Sequence, residues 1–194
     1  MLNDPFEVLP GLPACDQEDS VKQEEFWNTW RQGIVDNHGV ICHSALLDDP
    51  VIWSHYAEGH SGIALEFDYL ISDTLMEVRY CQQRPTMPVE LLDMDNYNPF
   101  VKQILETKAP SWQYEKEFRV YVSLKDCTPR SGFYFTKIPD NFLTRVVLGV
   151  RCEVRGNYVQ RLLMQYDWGD VSVAQAQLSP DKFSVDVRDV DSLS

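Results

Sequence analysis

The hydrophobic and polar positions of this chain alternate most clearly over residues 112–122, Trp-Gln-Tyr-Glu-Lys-Glu-Phe-Arg-Val-Tyr-Val. In a strand, side chains repeat every two residues. Tyr114, Phe118, Val120 and Val122 then share one face, with Lys116 as its polar member, and Glu115, Glu117, Arg119 and Tyr121 share the other. The pattern predicts a strand from about Tyr114 to Leu124 whose Phe118 and Val120 enter the core. The charged row is either a solvated sheet face or the wall of a polar cleft.

The rest of the chain reads in the same terms. Pro5, Pro10, Pro13 and Gly11 predict extended and turn structure at the start, with Phe6 tucked inward after Asn3-Asp4-Pro5. A helix is expected from Gln17 to Gln32, its face marked by Phe26 and Trp30 and flanked by Trp27 and Ile34, with Gly33 as its stop. Residues 38–44 read as a short buried strand. Asp49-Pro50 starts a helix to about Glu58, because Asp caps and Pro fits the first turn. Strands follow over 63–67 and 76–81, then a loop over 82–98 in which Val89, Leu91 and Leu92 allow a brief helix. Asn98-Pro99 opens a helix to about Lys108. After the central strand, residues 131–138 form an aromatic strand able to pair with it, and 144–150 a buried valine strand. A helix over 154–166, with Tyr158, Leu162 and Gln165 on one face, precedes strands over 171–177 and 183–187. Helices and strands do not alternate regularly. The order predicts an α+β fold, a mixed and mostly antiparallel central sheet flanked by helices, in a single domain over 1–194.

Composition narrows the partners. With a net charge of −13, the surface repels phosphate backbones, so nucleic acid is not the expected partner. The five cysteines are scattered, odd in number and without a C-x-x-C pair, which fits reduced thiols. Neither a signal segment nor an apolar run of membrane length occurs, and a cytoplasmic protein is expected.

Little in the chain matches a known chemical motif. His38 and His43, like His55 and His60, are five apart, which puts them on different faces of a helix, so no metal site is expected. Phosphate loops and nucleophile elbows are absent. Gly149 reads as a plain strand-to-helix turn. The segment from Trp53 to Gly62 is rich in polar aromatics, with Trp53, Tyr56 and Ala57 on a buried face and Ser54 and His55 turned elsewhere.

Several segments together resemble a family. They are Asn3-Asp4-Pro5-Phe6-Glu7, Val40-Ile41-Cys42-His43-Ser44, Trp53-Ser54-His55-Tyr56-Ala57, Phe67-Asp68, Trp112 with Tyr114-Glu115-Lys116-Glu117-Phe118-Arg119, and Val147-Leu148-Gly149. In this order they resemble domain-of-unknown-function family 2971, an uncharacterised bacterial and phage group. The family usually has Phe where this chain has His43, and a further strand before the Asn-Asp-Pro-Phe motif, so that strand is expected to be missing or supplied otherwise. The family resemblance suggests a weaker likeness to ADP-ribosyltransferases, with NAD as a candidate substrate. It implies Glu117 as the carboxylate facing an oxocarbenium-like ribose. It further implies Glu115 orienting the acceptor and Ser44 positioning Glu117. Tyr56 would stack on nicotinamide, with His55 and Arg119 completing the cofactor site. The alternative is a non-catalytic binding or regulatory protein in phage–host conflict, its partner a nucleotide or another protein.

Overall fold

The computed structural model describes residues 4–11, 20–69, 75–86, 98–138 and 141–190. In chain order its first elements are α1 (Ser20–Asn37), β1 (His38–Ser44), α2 (Pro50–Tyr56), β2 (Ile63–Phe67), β3 (Leu75–Glu77) and β4 (Arg79–Tyr80). There follow α3 (Asn98–Leu105), β5 (Thr107–Lys108), a 3-10 turn (Pro110–Glu115), β6 (Glu117–Ser123), β7 (Thr128–Arg130) and β8 (Phe133–Phe135). The last are β9 (Leu143–Leu148), α4 (Gly156–Gln165), β10 (Ser172–Leu178) and β11 (Val185–Asp189). The fold is α+β with mostly antiparallel strand pairs, as the sequence pattern predicts. The elements gather into two compact units, Met1–Ala45 with Asp73–Lys137, and Leu46–Ser72 with Ile138–Ser194.

The first unit is built on the antiparallel sheet β1-β6-β3. Strand β1 pairs with β6 so that Val40 faces Tyr121, Cys42 faces Arg119 and Ser44 faces Glu117. That face looks inward. Val40 and Tyr121 pack against a core of Val8, Ile34, Phe100, Val101, Ile104 and Leu105, supplied by the N-terminal turn, α1 and α3. Glu117 and Arg119 are buried on it, while Phe118 and Val120 on the opposite face are only half-buried. The expected core face of the central strand is therefore reversed. The cause is charge pairing: the row of acids and Arg119 neutralises itself across short distances and can be buried.

Four boundaries differ from the sequence reading, each for a local reason. Helix α1 runs through Gly33 to Asn37, which carries Ile34 into the core, and the Asn37 side chain bonds the Gly33 carbonyl at 2.8 Å. The central strand begins only at Glu117, because residues 110–115 coil into the 3-10 turn after Pro110. Helix α3 stops at Leu105, and Thr107–Lys108 become a strand beside β4. The aromatic strand β8 pairs with Thr128–Arg130 rather than with β6, and its Phe133, Tyr134 and Phe135 are all exposed. At the N-terminus Asp4 takes the Phe6 amide at 2.9 Å and its carbonyl takes the Glu7 amide at 3.1 Å. This turn leaves Phe6 exposed and sends Asp4, Glu7 and Val8 inward, the opposite of the expected Phe6 anchor. The side chains of Phe26 and Trp27, and the brief helix expected near Val89, lie outside what the structure describes.

The second unit holds the sheet β11-β10-β9-β2, in which β9 and β10 run parallel and the outer pairs are antiparallel. One face packs Val147, Ala174, Ala176 and Val185 against Trp53 and Ala57 of α2. The other packs Val146, Leu148 and Val173 against Val159 and Leu163 of α4. Both faces of β9 are thus covered, which explains its unbroken apolar run. Tyr158 and Leu162 of α4 are exposed, so the face of α4 that meets the sheet is the neighbouring one. Gly149 is required by packing. A Cβ there would lie 2.2 Å from the His60 carbonyl oxygen, and the Gly149 amide donates to the Gly62 carbonyl at 2.9 Å.

Candidate functional site

A cluster of buried charges lies at the centre of the first unit. Glu7, Lys108, Glu115, Glu117 and Arg119 are each no more than 4% exposed. Charged groups of this kind remain buried only when paired and hydrogen-bonded. Four local structures bring them together. The N-terminal turn presents Glu7. The short strand β5 presents Lys108, fixed by the Tyr80–Lys108 register and by the bond from the Cys81 amide to the Lys108 carbonyl at 3.0 Å. The 3-10 turn ends in Lys116 with φ 44° and ψ 54°, a left-handed conformation that carries Glu115 back toward the cluster. Strand β6 presents Glu117 and Arg119, two residues apart on one face.

Arg119 sits at the middle and has no exposed surface. Its Nε donates to Glu117 Oε1 at 2.7 Å and its Nη2 to Glu117 Oε2 at 3.0 Å, a fork-to-fork pair. Its Nη1 donates to the Leu105 carbonyl at 2.7 Å, and Nη2 also donates to Glu7 Oε1. Lys108 Nζ lies 2.5 Å from Glu115 Oε2, 3.0 Å from Glu117 Oε2 and 3.6 Å from Glu7 Oε1. The Lys108 ammonium also stands over the Trp112 ring, 4.9 Å from its centroid. The Glu117 amide donates to the Tyr80 hydroxyl at 2.9 Å.

These contacts set the protonation states. Burial works to raise the Glu117 carboxyl, but Arg119 first, then Cys42 and Lys108, outweigh it and hold the group down at about 2. Burial works to lower Lys108, and its bonds to Glu115 and Glu117 instead raise it above the ordinary lysine range. Arg119 is likewise raised by Glu117 against the effect of burial. Cys42 keeps accessible surface as a residue, yet its thiol is directed at Glu117. Burial of that thiol, reinforced by the Glu117 charge, pushes it up to about 12.

The structure gathers four of the expected site residues in this unit. Glu115, Glu117 and Arg119 share the ion cluster. Ser44 stands opposite Glu117 in the β1–β6 register, but its hydroxyl donates to the Glu115 carbonyl at 2.7 Å, so it fixes the backbone of the 3-10 turn. His55 and Tyr56 belong to α2 of the second unit, are exposed, and meet edge-to-face with ring centroids 6.2 Å apart. Two members of the cluster escaped the sequence reading. Glu7 was visible only as part of the Asn-Asp-Pro-Phe-Glu turn, and Lys108 as the end of a helix. No sequence period links either to Arg119.

Beside the cluster opens a pocket of about 440 Å³. Glu7 and Lys108 reach it from the cluster, Ile104 and Val8 supply apolar wall, and Phe6 and Arg84 stand at its edge with the guanidinium 5.7 Å from the ring centroid. A volume of this size suits a small organic molecule. Among the described residues no group of three or more His, Cys, Asp or Glu side chains could hold a metal ion.

The model of the family described as protein of unknown function (DUF2971) matches residues 52–120. The family resemblance read from the motifs is shown over that stretch, which carries Lys108, Glu115, Glu117 and Arg119 of the cluster. No curated protein and no solved structure matches the chain. Among the described residues no helix is long and apolar enough to cross a membrane.

Proposed function

We propose that this is a non-catalytic binding protein whose ligand enters the pocket beside the ion cluster. The observation that carries this reading is the state of Glu117. A transferase carboxylate must face the ribose and its developing charge. Here both oxygens of Glu117 bond Arg119, one also bonds Lys108, and the residue is 4% exposed. Its charge is already spent on two cations, which leaves little to stabilise a third. The pocket, by contrast, has the volume and the mix of apolar wall and few polar groups that small-molecule sites show.

One observation favours the NAD-using reading. Ser44 and both acids of the Glu-x-Glu do come together, with Ser44 opposite Glu117. A single experiment separates the two. Purified protein is incubated with NAD, released nicotinamide is measured, and NAD binding is followed by calorimetry. The binding reading expects no turnover in wild type. Turnover that falls by orders of magnitude in Glu117→Gln would replace it with the transferase.

A further inference from the structure

Every residue of the β7–β8 hairpin is exposed. Ser131 and Gly132 between the strands have φ of 51° and 81°, the two positive values of a type I′ turn. The turn closes on the pair Arg130 and Phe133. In a two-residue hairpin that pair exchanges hydrogen bonds, and the next pair, Pro129 with Tyr134, points its main chain outward. Pro129 has no N–H, so the outer edge of β7 lacks a donor there. Tyr134 presents both N–H and C=O on the outer edge of β8. Among the described residues neither strand pairs with a further one. The side chains are equally open. Phe133, Tyr134 and Phe135 are 69%, 54% and 54% exposed, and none makes a ring contact with another described residue. Phe133 and Phe135 share one face with Thr128 and Arg130, while Tyr134 lies on the other with Pro129. Bare apolar side chains on an unpaired edge mark a surface that associates. Charge selects what it meets. Over residues 125–137, Lys125, Arg130 and Lys137 stand against Asp126 alone, in a chain of net charge −13. None of these three cations forms an ion pair with another described residue.

We propose that the outer edge of β8 binds a partner protein by strand addition, taking an extended acidic segment as a further strand. Main-chain bonds to Tyr134 hold the segment, and its alternate apolar side chains cover the exposed rings. Its carboxylates meet Arg130 and Lys137. The hairpin shares no residue with the pocket, so this surface goes beyond the binding reading above and does not depend on it. Single-stranded nucleic acid fits the edge less well. Base stacking uses rings on a common face, and Tyr134 is turned away from the two Phe. The acidic chain also opposes a charge on every nucleotide. A second copy would bring two basic hairpins against each other, and like charges across strands repel.

The test uses the whole chain, isotope-labelled, and follows backbone amide resonances during titration. The probes are a blocked peptide of alternating Glu and Val, the same peptide N-methylated at every residue, and a blocked peptide of alternating Lys and Val. The expected result is saturable shifts at the amides of Tyr134, Phe135 and Thr136 with the Glu-Val peptide. They should vanish on N-methylation, which removes the main-chain donors, and be absent with the Lys-Val peptide. Tyr134→Pro removes the outward N–H but leaves the Arg130–Phe133 pair, and should abolish the shifts at Phe135 and Thr136 while the amides of β1 stay in place. Arg130→Gln combined with Lys137→Gln should remove the fall in affinity that added salt causes in wild type. Absence of any shift with the Glu-Val peptide would overturn the proposal, and so would equal shifts with either of the other peptides. Shifts of the same amides on dilution of the free protein would assign the edge to a second copy instead, and stronger binding of oligothymidylate would assign it to single strands. No residue of the pocket is probed, so failure here leaves the binding reading standing, and the NAD assay tests that reading separately.

Discussion

At the scale of single residues, Arg119 decides most. It binds two carboxylates and a helix-end carbonyl with no surface of its own. Arg119→Ala would leave Glu7 and Glu117 buried with Lys108 as the cation they share, and should cost about 3–5 kcal/mol in a urea melt. Glu117 gives the acid signature. Its pKa in the folded protein is depressed from 4.5 to about 2. Its contribution to stability is therefore complete above about pH 4.5 and is lost as pH falls from there toward 2. Urea melts of wild type should weaken through that window by on the order of 3 kcal/mol from this group. Glu117→Gln should flatten that limb, and an unchanged slope in the variant would remove Glu117 from the account.

At the scale of elements, the segment 107–119 is where periodicity misleads. An alternating pattern starting at Tyr114 reads as one strand, yet the chain coils until Lys116 and only then extends. Lys116→Gly tests this directly. In a strand, glycine would destabilise by roughly 0.5–1 kcal/mol. At a left-handed φ of 44° it should be neutral or stabilising by up to about 1 kcal/mol. Phe118 makes a second test. A core Phe costs about 3–5 kcal/mol on truncation to Ala. As a half-buried residue on the outer face of β6, Phe118→Ala should cost roughly 1–2 kcal/mol. A loss in the full core range would restore the face assignment read from the sequence.

At the scale of the whole molecule, stability rests on the packed cores and the ion cluster. The described cysteines are free, and the described residues offer no metal group. A chelator and a reductant should each leave the melting temperature within about 2 °C of its starting value. A large fall with the chelator alone would reveal ligands among the histidines. Net charge sets the solution behaviour around these measurements. The isoelectric point near 4.6 lies at the upper edge of the acid window, so dilute protein is needed there.

The sequence by itself determined a good deal. Helix signals at Asp49-Pro50, the valine run of β9 and the alternation of β2 and β6 define elements that the structure contains, and their irregular order gives the α+β class. Glu115, Glu117 and Arg119 were legible as a group because two of them are neighbours at strand spacing. The tertiary structure alone decided which face of that strand is inside. Local pattern ranks charged residues as outward, but burial depends on partners, and the partners here are Glu7 and Lys108, distant in the chain and joined by no period. The same holds for the pocket. It lies beside a cluster that forms only because a turn at residues 4–8, a two-residue strand at 107–108 and a left-handed residue at 116 meet around one guanidinium.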